Sequence, residues 1–303
     1  MAAYPILSMD GGGIRGIMTA IILQRLEKQY PGFLSKIKLF AGTSTGGLLA
    51  LGLACGMSPA EMRVLYQEFG DIVFTDSTLD DFRDLGRLVG ADYSLGPLKL
   101  VLTKQFGDRY LDSIPKKVLI SSFDLDNEDP SQNKRSWKAK FFHNYPGSDS
   151  DGDQKIVDVA LRTANAPTYF PIYQGYVDGG VVANNPSVCA LAQALNPETG
   201  GQKLQDLVMI SIGTGYNPRY VASQDGDWGL AQWAPHLIYL VMEGSTNLAD
   251  YQCRQLLGRR YLRLNVHLPE AIGMDRVDQI PLLEDLATNA DLSQAFTWLE
   301  AFF

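Results

Sequence analysis

Cationic side chains, histidine and cysteine are all scarce in this 303-residue chain, and each scarcity removes a class of function. Lys and Arg number 26 against 34 Asp and Glu, a formal net charge of -8, so neither a phosphate backbone nor an anionic membrane is an electrostatic partner. No nucleic-acid polymer is expected to bind. Transient contact with a membrane or micelle through apolar surface stays open. Cys55, Cys189 and Cys253 are odd in number, far apart and without paired ligand spacing, which argues against a disulfide framework or a structural zinc. All three are expected to be small buried hydrophobes. Long apolar runs are missing too. The longest, Leu48 to Met57, has 10 residues broken by glycine, against roughly 20 needed to span a bilayer. Met1 to Met9 has no basic start, long apolar core and cleavage site of a signal peptide. A cytoplasmic protein is expected, with secretion by a route lacking a cleaved signal still open.

What is present is globular: 46% hydrophobic and 20% charged residues can bury a sizeable core as one large domain or two small ones. The chain is organised around Leu39 to Ala54, where an apolar strand turns into an apolar helix at Gly42-Thr43-Ser44-Thr45-Gly46. This fits the G-x-S-x-G elbow, whose glycines let backbones pass closely while the serine stands strained at the turn. A helix beginning just after Ser44 brings free N–H groups and a positive dipole end to its hydroxyl. The pentapeptide alone equally fits an ordinary capped strand-to-helix turn.

Tyr4 to Met9 is an apolar run ended by Asp10-Gly11-Gly12-Gly13-Ile14-Arg15-Gly16, and Ile17 to Tyr30 is apolar at helical spacing. Gly11, Gly13 and Gly16 match the G-x-G-x-x-G fingerprint of dinucleotide sites. Such a site wants an acid roughly 20 residues on, where this chain has Tyr30 to Lys36 with none. Three consecutive glycines suit another task, aiming amides at an oxyanion. Arg15 adds positive charge or braces the loop through a carboxylate. Adjacent parallel strands, one ending in amide donors and the next in a nucleophile, bring both to one carboxyl edge of a sheet.

Further along, Ser58-Pro59-Ala60-Glu61 is a helix start with a capping box. Asp71 to Gly96 lacks clear periodicity and is expected to be a mobile cover or a peripheral helical insertion. Leu98 to Phe106 reads as helix, and Lys117 to Asp124 and Trp137 to Asn144 as strands. Asp149 to Asp153 resembles a calcium loop but lacks the glycine and glutamate at its sixth and twelfth positions, so a solvated acidic loop is expected. Lys155 to Asn165 is helical, and the two prolines of Ala166 to Pro171 end it. Pro186 to Leu195 is expected as helix, Leu207 to Ile212 and Tyr261 to Leu264 as strands. A helical region from Trp228 to Leu257 is interrupted near Gly244, and Asp278 to Phe303 is largely helical. The apolar end at Phe296, Leu299, Phe302 and Phe303 is core or, if exposed, a docking surface.

Ser44 needs a base. The histidines are His143, His236 and His267, and neither of the last two, which a Ser-Asp-His order would require, lies in an evident active-site turn. Tyr176-Val177-Asp178-Gly179-Gly180 ends a short apolar stretch in an aspartate before two glycines. On its own it is a common turn. As partner to Ser44 it offers a carboxylate that takes the hydroxyl proton directly, helped by desolvation.

These motifs together resemble the patatin-like phospholipases, lipid acyl hydrolases with a serine-aspartate dyad. The resemblance runs from Ile6 to Gly16 through Gly42 to Gly47, Ile120 to Asp124, Ala166 to Pro171, Val177 to Val181 and Ser211 to Gly215. It implies Ser44 as nucleophile, Asp178 as base, the Gly11, Gly12 and Gly13 amides as oxyanion hole and Arg15 in the family's arginine position. Gly42, Gly46, Gly179 and Gly180 support the two motifs. The expectation is a single patatin-like domain over 1–303, a three-layer α/β/α fold with a mostly parallel sheet, its core about 4–215 and a helical part about 228–303. It would release fatty acid from phospholipids or related acyl esters through an acyl-enzyme, without metal or organic cofactor. The alternative is a lipid-binding or storage protein of the same fold. Headgroup, acyl preference, an activator and the oligomeric state are not specified by these residues.

Overall fold

The computed structural model describes residues 3–73, 90–131, 133–218, 220–221 and 226–303. Strand β1 (Tyr4–Met9) leads through the glycine loop to helix α1 (Gly16–Gln29), and a short turn α2 (Phe33–Lys36) precedes β2 (Leu39–Thr43). Helices α3 (Thr45–Ala54), α4 (Pro59–Val73) and α5 (Leu95–Phe106) follow, then the hairpin partners β3 (Lys117–Asp124) and β4 (Lys138–His143). After α6 (Ile156–Ala164) come the short β5 (Tyr176–Asp178), α7 (Gly180–Ala183), α8 (Ser187–Leu195) and β6 (Leu207–Ile212). A long α9 (Leu230–Leu257), β7 (Tyr261–Leu264), α10 (Ile280–Asn289) and α11 (Ser293–Phe302) complete the order.

The strands form one sheet in the order β4-β3-β2-β1-β6-β7, with β5 added on β3. β3, β2, β1, β6 and β7 are parallel neighbours, whereas β4 and β5 run antiparallel to β3. β1 lies inside the sheet and reads Tyr-Pro-Ile-Leu-Ser-Met, buried from Pro5 onward, the pattern of a strand covered on both faces. Its alternate residues divide the core. Leu7 and Met9 join Ile17, Leu49 and Met62 of α1, α3 and α4, while Ile6 joins Leu191, Cys253 and Leu257 of α8 and α9. The period of two along the strand thus builds the α/β/α layers that the sequence predicts.

Several local expectations change. α9 runs unbroken through Gly244, since packing on α7 and β7 outweighs the helix cost of about 1 kcal/mol for one glycine. Cys253 is buried, but Cys55 and Cys189 are half-buried. The loop at 149–153 is not uniformly solvated: Asp151 is buried, pairs with Lys140 Nζ at 2.5 Å and accepts from the His143 N–H at 3.1 Å. Phe302 and Phe303 pack against Trp298 and belong to the core margin. Most of the segment expected as a cover, residues 74–89, lies outside the described residues.

Candidate active site

The site is built where two strands meet end to end. β3 pairs with β4 along one edge, so β2 and β5 share its other edge. β2 stops with Thr43 opposite Ser121, and β5, arriving from the opposite direction, stops with Asp178 opposite Ser122. Consecutive residues of β3 therefore hold Ser44 and Asp178 facing the same gap. Ser44 makes the turn with φ 54° and ψ −125°, a conformation costly for any residue with a side chain and kept only where the surroundings impose it. Its N–H donates to Thr163 Oγ1 at 2.9 Å, and that hydroxyl donates to the Ser121 carbonyl at 2.5 Å. A Cβ on Gly42 would lie 2.0 Å from the Gly46 carbonyl oxygen, and one on Gly46 would lie 2.2 Å from that of Met9. Both elbow glycines are space requirements.

Asp178 is 4% exposed. Burial pushes its pKa up to about 6, against the opposing pull of the Ser44 hydroxyl and the Gly180 N–H, which stabilise its charged form as hydrogen-bond donors. The Gly180 amide donates to Asp178 Oδ1 at 2.7 Å. Gly179 packs so closely on Ser121 that a Cβ would meet its carbonyl oxygen at 2.5 Å. Desolvation with no cationic partner among the described residues suits a carboxylate that accepts a proton near neutral pH.

The glycine loop lies beside this pair. Gly11 differs from the expectation: its N–H donates to the Asn184 carbonyl at 3.0 Å and is already engaged. Among the described residues the amides of Gly12 and Gly13 have no acceptor. Gly12 can carry no side chain because Thr214 Oγ1 occupies that volume, and Gly13, at φ +59°, faces the Met274 carbonyl. Arg15 Nε donates to the Gly12 carbonyl at 3.2 Å, turning it back into the loop. Beneath it, buried Asp10 forms a two-pronged ion pair with Arg263, at 2.9 Å and 2.5 Å, while Arg263 also donates to Ser211 Oγ at 2.8 Å. This clamp ties the end of β1 to β7.

The loop divides two hollows. On one side Gly13, Ile14, Ser44, Leu48, Phe69 and Phe170 line a narrow apolar pocket of about 50 Å³. On the other, Gly11, Arg15, Asn184, Thr214, Asn217 and Tyr239 line a wider polar groove of about 710 Å³. No histidine lines the pocket at Ser44. His236 lies on the groove wall, exposed and stacked on Trp228, and His143 is buried on β4 beside Asp149.

Sequence reading singled out Ser44, Asp178 and the glycine loop but missed Thr163, Asn184 and Arg263. Thr163 carries no signal, being one threonine in an apolar helix. Arg263 did carry one: a lone arginine in the buried strand Tyr-Leu-Arg-Leu demands an internal partner.

Fold and site together define a class, an α/β protein that presents a strained serine and a buried carboxylate beside an apolar pocket. The chain belongs to the patatin-like phospholipase family, whose model matches residues 7–188. It is 33% identical over 274 residues to a cGAMP-activated phospholipase of Pseudomonas aeruginosa, covering 86% of this chain and 78% of that protein. Protein teg of Priestia megaterium is 29% identical and matches 99% of both chains. Patatin-like protein 1 of Arabidopsis thaliana is 30% identical over 81% of this chain and 69% of its own.

Proposed function

We propose that this lipid hydrolase cleaves acyl esters of phospholipids or related lipids with Ser44 as nucleophile and Asp178 as its base. Family membership and the phospholipase relatives support lipid hydrolysis. The observation that carries the finer reading is the convergence of Ser44 and buried Asp178 at an apolar pocket. In acylation Asp178 takes the Ser44 proton as Oγ attacks the ester carbonyl, and the oxyanion is received by the Gly12 and Gly13 amides. Collapse expels the alcohol, which takes the proton from Asp178. Water then repeats the sequence on the acyl-enzyme and releases the fatty acid. The acyl chain is assigned to the pocket of Ile14, Leu48, Phe69 and Phe170, the polar remainder to the groove.

The lipid surface is met by α9. From Leu230 to Met242 this helix has no Asp, Glu, Lys or Arg, and Leu230, Trp233, Leu237, Leu240 and Val241 are all exposed. His236, Tyr239 and Leu240 of the same segment form a wall of the groove. An apolar stripe at the rim of a lipid site suits shallow insertion at a membrane interface, and the stretch itself carries no acidic residue for anionic lipid to repel.

The test is fatty-acid release from mixed phospholipid vesicles by the protein and by Ser44→Ala, read by mass spectrometry. Release that disappears with Ser44 supports the proposal. Release that persists in Ser44→Ala overturns it, and retention of intact lipid without release favours a binding protein.

A further inference from the structure

Asn184 follows the Asp178 turn by six residues, at the end of α7. It is 8% exposed, and every polar group but one is held. Its carbonyl accepts from Gly11 N–H at 3.0 Å, its own N–H donates to Ser245 Oγ at 3.4 Å, and Nδ2 donates to Thr246 Oγ1 at 3.1 Å. Oδ1 is buried without a partner among the described residues. A buried amide oxygen fixed by three other bonds and left unsatisfied calls for a donor from outside the chain.

Its surroundings indicate which donor. A methyl group on Gly180 would sit 3.1 Å from Asp178 Oδ1 and 3.3 Å from Asn184 Oδ1, so the two oxygens flank the same glycine. A methyl group on Gly11 would meet the same Asn184 oxygen at 2.4 Å and Ser44 Cβ at 3.2 Å. Asn184 thus faces base and nucleophile together, from the wall of the polar groove, opposite the acyl pocket. An acceptor there is of little use for leaving-group departure, where the base delivers its own proton. Deacylation is different, because water must be held with one hydrogen on the base and needs a second acceptor to fix its orientation.

We propose that Asn184 Oδ1 is the second acceptor for the water that hydrolyses the acyl-enzyme, resting on the reading of Ser44 and Asp178 given above. One water O–H points to Asn184, the other to Asp178. The water oxygen forms the new bond to the acyl carbon as Asp178 takes the second proton; the Ser44 Oγ–acyl bond then breaks and Oγ receives that proton. Fatty acid leaves and the free serine is restored. Water reaches this point through the groove while the acyl chain stays in the pocket. Thr246 is the positioning residue for the amide.

The experiment is stopped-flow hydrolysis of p-nitrophenyl butyrate, with intact-mass analysis, on wild type, Ser44→Ala, Asn184→Leu and Thr246→Val. For Asn184→Leu the expected result is a first phase of about one p-nitrophenolate per protein, followed by a steady rate about tenfold or more below wild type. A butyryl adduct on Ser44 accumulates, and hydroxylamine, which needs no such orientation, restores turnover. Thr246→Val, which leaves Asn184 in place, is expected to show the same adduct more weakly. Unchanged steady turnover in a folded Asn184→Leu, or a fall without an adduct that hydroxylamine leaves unrelieved, overturns the inference while leaving the serine mechanism intact. If wild type forms no Ser44-dependent product, the proposed reaction fails, and this inference fails with it.

Discussion

Asp178 carries opposite consequences for activity and stability. Its folded pKa near 6 exceeds the ordinary carboxylate value because burial disfavours the charge. As the proposed base it must be ionised, so kcat/KM on a neutral soluble ester is expected to rise with slope one up to about pH 6 and level off above, with Asp178→Asn losing about 10²-fold or more. For stability the sign is reversed. A carboxyl whose pKa is raised on folding binds its proton more tightly in the folded state, so stability falls as pH rises from the unfolded value through about 6. Two pKa units correspond to about 3 kcal/mol. Thermal melts should therefore show Asp178→Asn more stable than wild type at pH 8, with the gain shrinking towards pH 4. No gain at pH 8 would mean that the buried carboxylate is not the strained group its desolvation implies.

At the level of elements, the site depends on β2 and β5 ending on consecutive residues of β3, and on the turn that follows β2. The φ of 54° at Ser44 is paid for by the fit of α3 against the end of β1. Both Ser44→Ala and Ser44→Gly are expected to abolish hydrolysis. Denaturant unfolding should nevertheless find Ser44→Gly more stable than Ser44→Ala by about 1 kcal/mol, since only glycine occupies that backbone freely. Equal stabilities would remove strain from the account. The Asp10–Arg263 clamp is a second element-level device, joining β1 to β7 across β6. Arg263→Met leaves Asp10 buried without its counter-charge and is expected to cost about 3 to 5 kcal/mol in the same unfolding measurement. Arg263→Lys should recover part of that loss but lacks the fork that reaches both carboxylate oxygens and Ser211.

Across the whole molecule, the apolar pocket at Ser44, the polar groove and the exposed stripe of α9 lie close together. A surface role for the stripe separates two kinds of substrate. Replacing Leu237 and Val241 by Asp should lower hydrolysis of phospholipid in vesicles about tenfold or more through lost interfacial binding, while p-nitrophenyl butyrate turnover stays near the wild-type rate. Parallel loss on both substrates would place these leucine and valine side chains in the catalytic fold instead of at a lipid interface.

Much of this is legible in the sequence, for identifiable reasons. β1 and β6 begin and end where apolar runs do, because both faces of the sheet are covered and such strands are near-continuous in hydrophobicity. Ser44 and the glycine loop announce themselves through glycines that local backbone geometry requires. Asp178 was legible once a base for Ser44 was sought, as an acid ending a strand. The engagement of the Gly11 amide by Asn184, the unpaired amide oxygen, the Arg263 clamp and the exposure of α9 were not legible, since each joins segments more than fifty residues apart or depends on which helix face the sheet leaves uncovered. Sequence alone thus determined the chemistry available, a serine at a tight turn, a carboxylate and a run of free-turning glycines. Only the tertiary structure decided which amides remain free, how far Asp178 is desolvated and which side of the site is apolar, because packing distant segments together sets both the local dielectric and the hydrogen-bond partners.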